Sequence, residues 1–226
     1  MPVRNIKTSH SSQTGKFPSA KNGVANMYES SLEKDLIYSL EFDHNVRNYE
    51  EQPVTIEYLG EEGKLRRYTP DFLVNYKNHT PLSASLKTTL IEVKYRADLW
   101  KDWKSLKPKF KAAINYADQK GWRFKILTEK EIRTEFQYNA RFLVRYLRAD
   151  IDPDKMNHIL DLIKEFEVST PQELMVASSS SAKMQGYYLF TIWYLVANGF
   201  ICCDLTRRVH MSTDIWFNEG FRNLEL

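Results

Sequence analysis

Cysteine is nearly absent from this sequence, and the two that occur, Cys202 and Cys203, are adjacent. Neighbouring cysteines give no disulfide framework, which suits a reducing, cytoplasmic setting. Histidine is also sparse: His10, His44, His79, His158 and His210 are scattered, and none stands at zinc-ligand spacing to a cysteine or another histidine. That pattern argues against a structural zinc site. No stretch approaches the roughly 20 apolar residues of a membrane-spanning helix, and the most apolar run, Tyr187 to Ala197, is too short. The first residues are polar and basic, without the apolar segment of a secretory signal. No internal repeat is apparent.

What is present is ordinary globular material: 226 residues, 42% hydrophobic and 27% charged, enough for one large domain or two small ones. The net charge of +3 hides a split. Residues 1–149 hold 26 Lys and Arg against 18 Asp and Glu, whereas residues 150–226 hold 6 against 11. A basic part, +8, beside an acidic part, −5, implies two domains with different partners. The expected organisation is a flexible basic arm over 1–28, an α/β domain over 29–149 and a smaller domain over 150–226.

Local patterning fills in that outline. Ser30 with Glu33 has capping-box spacing, and Leu32, Leu36, Ile37 and Leu40 mark one buried helical face, predicting a helix from Ser30 to Glu41. Val54–Leu59, Arg67–Tyr76 and Thr89–Tyr95 read as strands, the first two joined by a turn at Gly63. A helical pattern over Leu99–Lys120 ends at Gly121, with Pro108 expected at a kink or a break. Trp122–Leu127 reads as a fourth strand and Lys130–Arg148 as a closing helix. The order predicts an α/β fold with a mixed sheet. Beyond Asp152-Pro153, three helical patterns and a possible hairpin (Phe200–Leu205 with Arg208–Phe217) suggest a winged helix.

The chemistry is carried by Thr69-Pro70-Asp71-Phe72-Leu73-Val74 and Leu90-Ile91-Glu92-Val93-Lys94-Tyr95. On a strand, Glu92 and Lys94 point to one face while Ile91, Val93 and Tyr95 point to the other. A carboxylate and an ammonium on one face of an otherwise apolar strand are costly without a purpose. Asp71 can add a second carboxylate from the neighbouring strand. Glu-x-Lys alone could be a surface salt bridge, and Pro-Asp is common at strand starts. Together, in this order and with apolar flanks, they form the PD-(D/E)xK nuclease signature. Hard Mg²⁺, with Mn²⁺ as a substitute, prefers such oxygen ligands, and two ions per site can serve the attacking and leaving oxygens. Lys94 can orient the water or offset charge on the phosphate. Glu33 could reach the same cluster, or serve only as a cap.

At this point the sequence resembles the TnsA family, the endonuclease subunits of Tns-type transposons, including those guided by CRISPR complexes. The likeness rests on Ser31-Leu32-Glu33, Ser39-Leu40-Glu41-Phe42, Glu51-Gln52-Pro53, the two motifs above and Ala197-Asn198-Gly199-Phe200-Ile201. The resemblance implies a restriction-endonuclease-like core followed by a winged-helix-like domain. It implies Glu33, Asp71, Glu92 and Lys94 as catalytic positions, with Glu33, Asp71, Glu92 and Val93 as metal ligands. Some members carry Gln where this chain has Glu92. It further implies double-stranded transposon-end DNA as substrate, a TnsB-like transposase as partner, and a TnsC-like AAA+ regulator bound by the C-terminal domain.

Twelve basic residues lie between Lys94 and Arg133, with five acids among them. Lys101, Lys104, Lys107 and Lys111 recur at helical spacing and are the expected DNA-binding face, although such a stripe can be merely solvated. Trp100 and Trp103 on the same helix suit a core or subunit contact better than base stacking. The acidic C-terminal part is better suited to a protein than to phosphates. The alternatives are an independent restriction- or resolvase-like nuclease, or a noncatalytic architectural subunit.

Overall fold

In a computed structural model the described residues are 14–60, 63–77 and 85–220. They divide into two compact units, with the boundary between Arg133 and Thr134. Among the described residues, no helix is long and apolar enough to cross a membrane.

The N-terminal unit is built on a four-stranded mixed sheet. Its strands are β3 (Val46–Glu51), β6 (Phe72–Tyr76), β7 (Thr89–Val93) and β8 (Arg123–Leu127), adjacent in that order. β3–β6 and β6–β7 are antiparallel, whereas β7–β8 is parallel. Parallel neighbours need a crossover, and helix α2 (Arg96–Gln119) supplies it. Helix α1 (Ser31–Phe42) covers the opposite face: Leu32, Leu36, Ile37 and Leu40 pack with Phe72, Val74, Ile91 and Val93. Leu73 and Leu90 pack instead with Ala113 of α2 and with Phe124. Alternation along β6 and β7 therefore sorts the side chains between two helices, as strand geometry requires. All five residues of β7 are buried, each large aliphatic contributing about 1.5–3 kcal/mol. This is the restriction-endonuclease-like α/β core expected from the motif order.

Several local expectations are corrected. Residues 15–28 are a hairpin rather than a mobile arm: β1 (Gly15–Pro18) pairs antiparallel with β2 (Ala25–Tyr28). The earlier part of that arm lies outside the described residues. Polar composition conceals how the hairpin is anchored. Phe17 is buried edge-on against Tyr38, Asn26 donates to Glu51, and the intervening turn closes on Glu41. Buried Glu41 accepts from Ser19 Oγ at 2.8 Å, the backbone N–H groups of Ala20 and Lys21 at 2.5 and 3.1 Å, and Tyr49 Oη at 2.8 Å.

The strand expected over Arg67–Tyr76 is interrupted at Thr69-Pro70-Asp71. Its first part, β5 (Leu65–Tyr68), pairs with β4 (Ile56–Leu59) as a separate ribbon, and β6 begins only at Phe72. Proline lacks the N–H that a continuous strand would use. Pro108 does not divide α2, which runs unbroken through it. The helix expected over Lys130–Arg148 is instead α3 (Glu129–Ile132), α4 (Glu135–Leu143) and a 3₁₀ turn at Val144–Tyr146. Thr128 and Thr134 each cap a new start with their hydroxyls.

The unit division also differs from the expected boundary at 149/150, because α4 is held by the C-terminal unit. Asn139 Nδ2 donates to the carbonyls of Leu205 and Arg207, and its Oδ1 accepts from Val209 N. Phe142 and Tyr146 pack edge-on against Trp193 and Phe190. The remainder comprises α5 (Pro153–Phe166), β9 (Val168–Ser169), α6 (Pro171–Ser178), α7 (Ala182–Ala197), β10 (Ile201–Cys203) and β11 (Ile215–Phe217). Strand β11 lies between β10 and β9, antiparallel to both. Helix, strand, two helices and a returning hairpin make the winged-helix order.

Candidate active site

Antiparallel pairing of β6 with β7 puts the start of one strand beside the end of the other. Asp71 precedes β6, and its backbone N–H donates to the Ile91 carbonyl at 3.0 Å. Its Oδ2 accepts from the backbone N–H of Val93 at 2.6 Å. The Pro-Asp break thus delivers a carboxylate to the tip of the central strand.

Glu92 points to the α2 face, opposite to Ile91 and Val93, and is only 4% exposed. Both of its oxygens are engaged: Tyr68 Oη donates to Oε2 at 2.7 Å and Lys109 Nζ to Oε1 at 2.8 Å. The Lys109 ammonium also lies 4.5 Å from the centre of the Tyr68 ring. Burial, then the Glu92 charge, pushes the Tyr68 hydroxyl far above the ordinary phenol range, so it acts as a fixed hydrogen-bond donor.

Glu33 enters from the first turn of α1. Ser30 Oγ donates to its Oε1 at 2.9 Å, and the backbone N–H of Glu29 donates to its Oε2 at 2.8 Å. Its own N–H is capped by the Ser30 hydroxyl at 3.1 Å. Glu33 thus has a structural role, holding the Ser30 hydroxyl that caps α1 and the Glu29 N–H before it. Its charge nevertheless reaches the other acids. Burial raises the Asp71 carboxyl well above its usual range, and repulsion from Glu92 and then Glu33 adds to it. Glu33 is also raised, chiefly by burial, with repulsion from Glu29 and Glu92 beyond its hydrogen bonds. The three carboxylates form one desolvated, mutually repelling patch, and Lys109 is the cation that offsets it at Asp71 and Glu92.

Lys94 follows β7 directly, on the same alternation as Glu92. Among the described residues its ammonium has no hydrogen bond or ion pair, while its backbone N–H donates to Leu127 at 3.1 Å. The lysine that meets Glu92 is therefore Lys109, which in the sequence is one more member of a basic stripe. Its position supplies the missed signal: Phe110 and Ala113 belong to the buried side of α2, and Lys109 borders it. Tyr68 gives no such signal, because it precedes the motif on a different ribbon. Lys101, Lys104, Lys107 and Lys111 are all exposed on α2, as a phosphate-facing row requires. Trp100 and Trp103 are exposed too, at 76% and 48%, which corrects any core role.

The donor chemistry suits a hard divalent cation: carboxylate oxygens, no sulfur, no imidazole, and more negative than positive charge in a desolvated site. Among the described residues, no three acidic, histidine or cysteine side chains converge on a common point. Tyr68 and Lys109 draw Glu92 one way, while Glu29 and Ser30 hold Glu33 in its capping position.

Comparison with known proteins bears on this cluster directly. Residues 43–129 match the family model described as "TnsA-like endonuclease N terminal". No curated protein matches the chain. The matched segment contains Asp71, Glu92, Lys94 and Lys109 and begins just after α1, which carries Glu33. With its mixed sheet and its Pro-Asp and Glu-x-Lys motifs inside that match, the segment over residues 43–129 is similar to the N-terminal endonuclease domain of TnsA-like proteins.

Proposed function

We propose that this protein is the Mg²⁺-dependent endonuclease subunit of a heteromeric transposase. It hydrolyses phosphodiesters at the 5′ ends of the element, on the strand that is not transferred. The observation that carries this reading is the mutually repelling patch of Asp71, Glu33 and the buried Glu92 inside and beside a TnsA-like endonuclease domain. Acids crowded together against their own repulsion are costly to stability and are characteristic of sites that handle charge.

Glu33, Asp71 and Glu92, with the backbone of Val93, are the groups that would hold the ion. A bound Mg²⁺ supplies polarisation of the phosphodiester and acidification of a water. The chain's own residues do the remainder. Asp71, braced by the Val93 N–H, fixes the tip of β7. Tyr68 and Lys109 orient Glu92. Lys94, without an ion pair among the described residues, is available to the scissile phosphate or to the attacking water. Lys101, Lys104, Lys107 and Lys111 engage the backbone of double-stranded transposon-end DNA. The working assembly is cytoplasmic, with a TnsB-like transposase cutting and joining the other strand and a TnsC-like AAA+ regulator meeting the C-terminal unit.

The test is cleavage of strand-labelled end DNA by the full chain with its transposase partner and Mg²⁺. Asp71→Ala should lose the 5′-strand cut while 3′-end nicking by the partner continues, leaving branched products that replication resolves as cointegrates. Simple insertions at wild-type proportion from a folded Asp71→Ala protein would exclude the assignment.

A further inference from the structure

Gln52 closes β3 in a backbone conformation that few residues other than glycine adopt, with φ at +47°. Such a position is strained for an L residue with a side chain. Its N–H donates to the Asp71 carbonyl at 2.8 Å, one step beyond the Glu51–Phe72 pair. Gln52 therefore stands across the β3–β6 ladder from the motif aspartate.

Its side chain carries a second cost. Gln52 is 7% exposed, and its Oε1 is the buried side-chain polar atom that accepts no hydrogen bond among the described residues. An unsatisfied buried amide oxygen is destabilising. Turning the amide over does not help. Nε2 donates to Glu29 Oε1 at 3.4 Å, and a flipped amide would set its oxygen against that carboxylate. Glu29 in turn holds Glu33 through its backbone N–H. The bond to Glu29 therefore dictates which way the amide faces, and that orientation leaves its oxygen unpaired.

A bare amide oxygen takes a hydrogen-bond donor or a hard cation, and Gln52 is tied by its backbone to Asp71 and by its amide to Glu29, the residue that holds Glu33. We propose that Gln52 Oε1 is a further oxygen ligand of the divalent ion, in its inner coordination or through one bound water. The inference rests on the metal-dependent reading above. It accounts for both costs at one residue, since preorganised sites store strain and unmet polarity that the ligand relieves.

The experiment is Mn²⁺ titration of the full-length chain, with free Mn²⁺ read by electron paramagnetic resonance and melting temperature measured with and without the ion. Gln52→Ala should weaken Mn²⁺ binding by about tenfold or more, while the metal-free protein melts no lower than wild type because the orphan oxygen is gone. Gln52→Gly relieves the backbone as well, and should raise the metal-free melting temperature while binding Mn²⁺ as poorly as Gln52→Ala. Gln52→Glu should retain Mn²⁺ binding and lower the metal-free melting temperature at neutral pH. Mn²⁺ affinity within twofold of wild type in folded Gln52→Ala and Gln52→Gly overturns the assignment of Gln52 alone. If the wild-type chain binds no Mn²⁺ more tightly than Asp71→Ala, the metal-dependent reading fails and this inference fails with it.

Discussion

Replacing Lys109 by Met should be among the most damaging single changes in the N-terminal unit, although Lys109 lies outside the nuclease motif. Its ammonium is 2.8 Å from Glu92, with the two side chains 17% and 5% exposed. Removing one member of a buried ion pair leaves the other charge uncompensated and costs about 3–5 kcal/mol. Tyr68 still donates to the second carboxylate oxygen, which places the loss at the low end of that range. For a chain of this size it corresponds to about 6–12 °C in melting temperature. Adding Glu92→Gln to Lys109→Met removes the stranded charge and should restore at least half of the loss, so the double-mutant cycle should show a coupling of about 2 kcal/mol. Urea denaturation followed by tryptophan fluorescence gives all four stabilities. A Lys109→Met protein within about 0.5 kcal/mol of wild type, or strictly additive variants, would refute the view that Lys109 neutralises a buried Glu92.

Glu41→Ala should destabilise the N-terminal unit by about 3–5 kcal/mol, because four donors share this one buried acceptor; limited proteolysis should then cut first between Gly15 and Tyr28. Neutralising Lys101, Lys104 and Lys107 together should reduce the slope of log binding constant against log salt by about 0.9 for each phosphate that is no longer neutralised, and an unchanged slope would place this face of α2 away from DNA. A fragment beginning at Thr134 should fold and show a cooperative thermal transition, whereas one beginning at Asp150 should not. The shorter piece lacks Asn139 and the Phe142–Trp193 and Tyr146–Phe190 ring pairs; equal stability of the two would contradict this division of the chain.

The parts of this molecule legible in its sequence are those governed by short-range rules. Ser30 and Glu33 announce α1, and Thr170 with Glu173 announces α6, because caps are local hydrogen-bond arithmetic. Alternation along Leu90–Lys94 sets Glu92 apart from Ile91 and Val93, as the packing bears out. The failures lie where a tertiary partner decides. Strand β3 has the sequence Val-Arg-Asn-Tyr-Glu-Glu, charged enough to pass for a loop, yet Glu51 is buried because Asn26 and the Met27 N–H receive it. The β1–β2 hairpin is hidden for the same reason, its support coming from Glu41 on a later helix. Lys109 looks like one more surface lysine because Glu92, 17 residues earlier, is what distinguishes it.

The sheet's connectivity also determines where this chain can change length. β6 begins at the chemistry and runs away from it, and β7 returns to end there, with Val74 paired to Thr89 at the remote end. Tyr76 and Thr89, the strand ends that the intervening chain joins, therefore lie at the end of the sheet away from Asp71 and Glu92. Insertions or deletions there leave the separation of the two carboxylates unaltered, because interstrand register and not the intervening chain fixes it. The number of residues between Pro-Asp and Glu-x-Lys is thus free to drift among proteins that keep the same geometry. Residues between Glu92 and Lys109 have no such freedom: one residue added to the first turns of α2 would rotate Lys109 by about 100° around the helix axis, away from the carboxylate it neutralises.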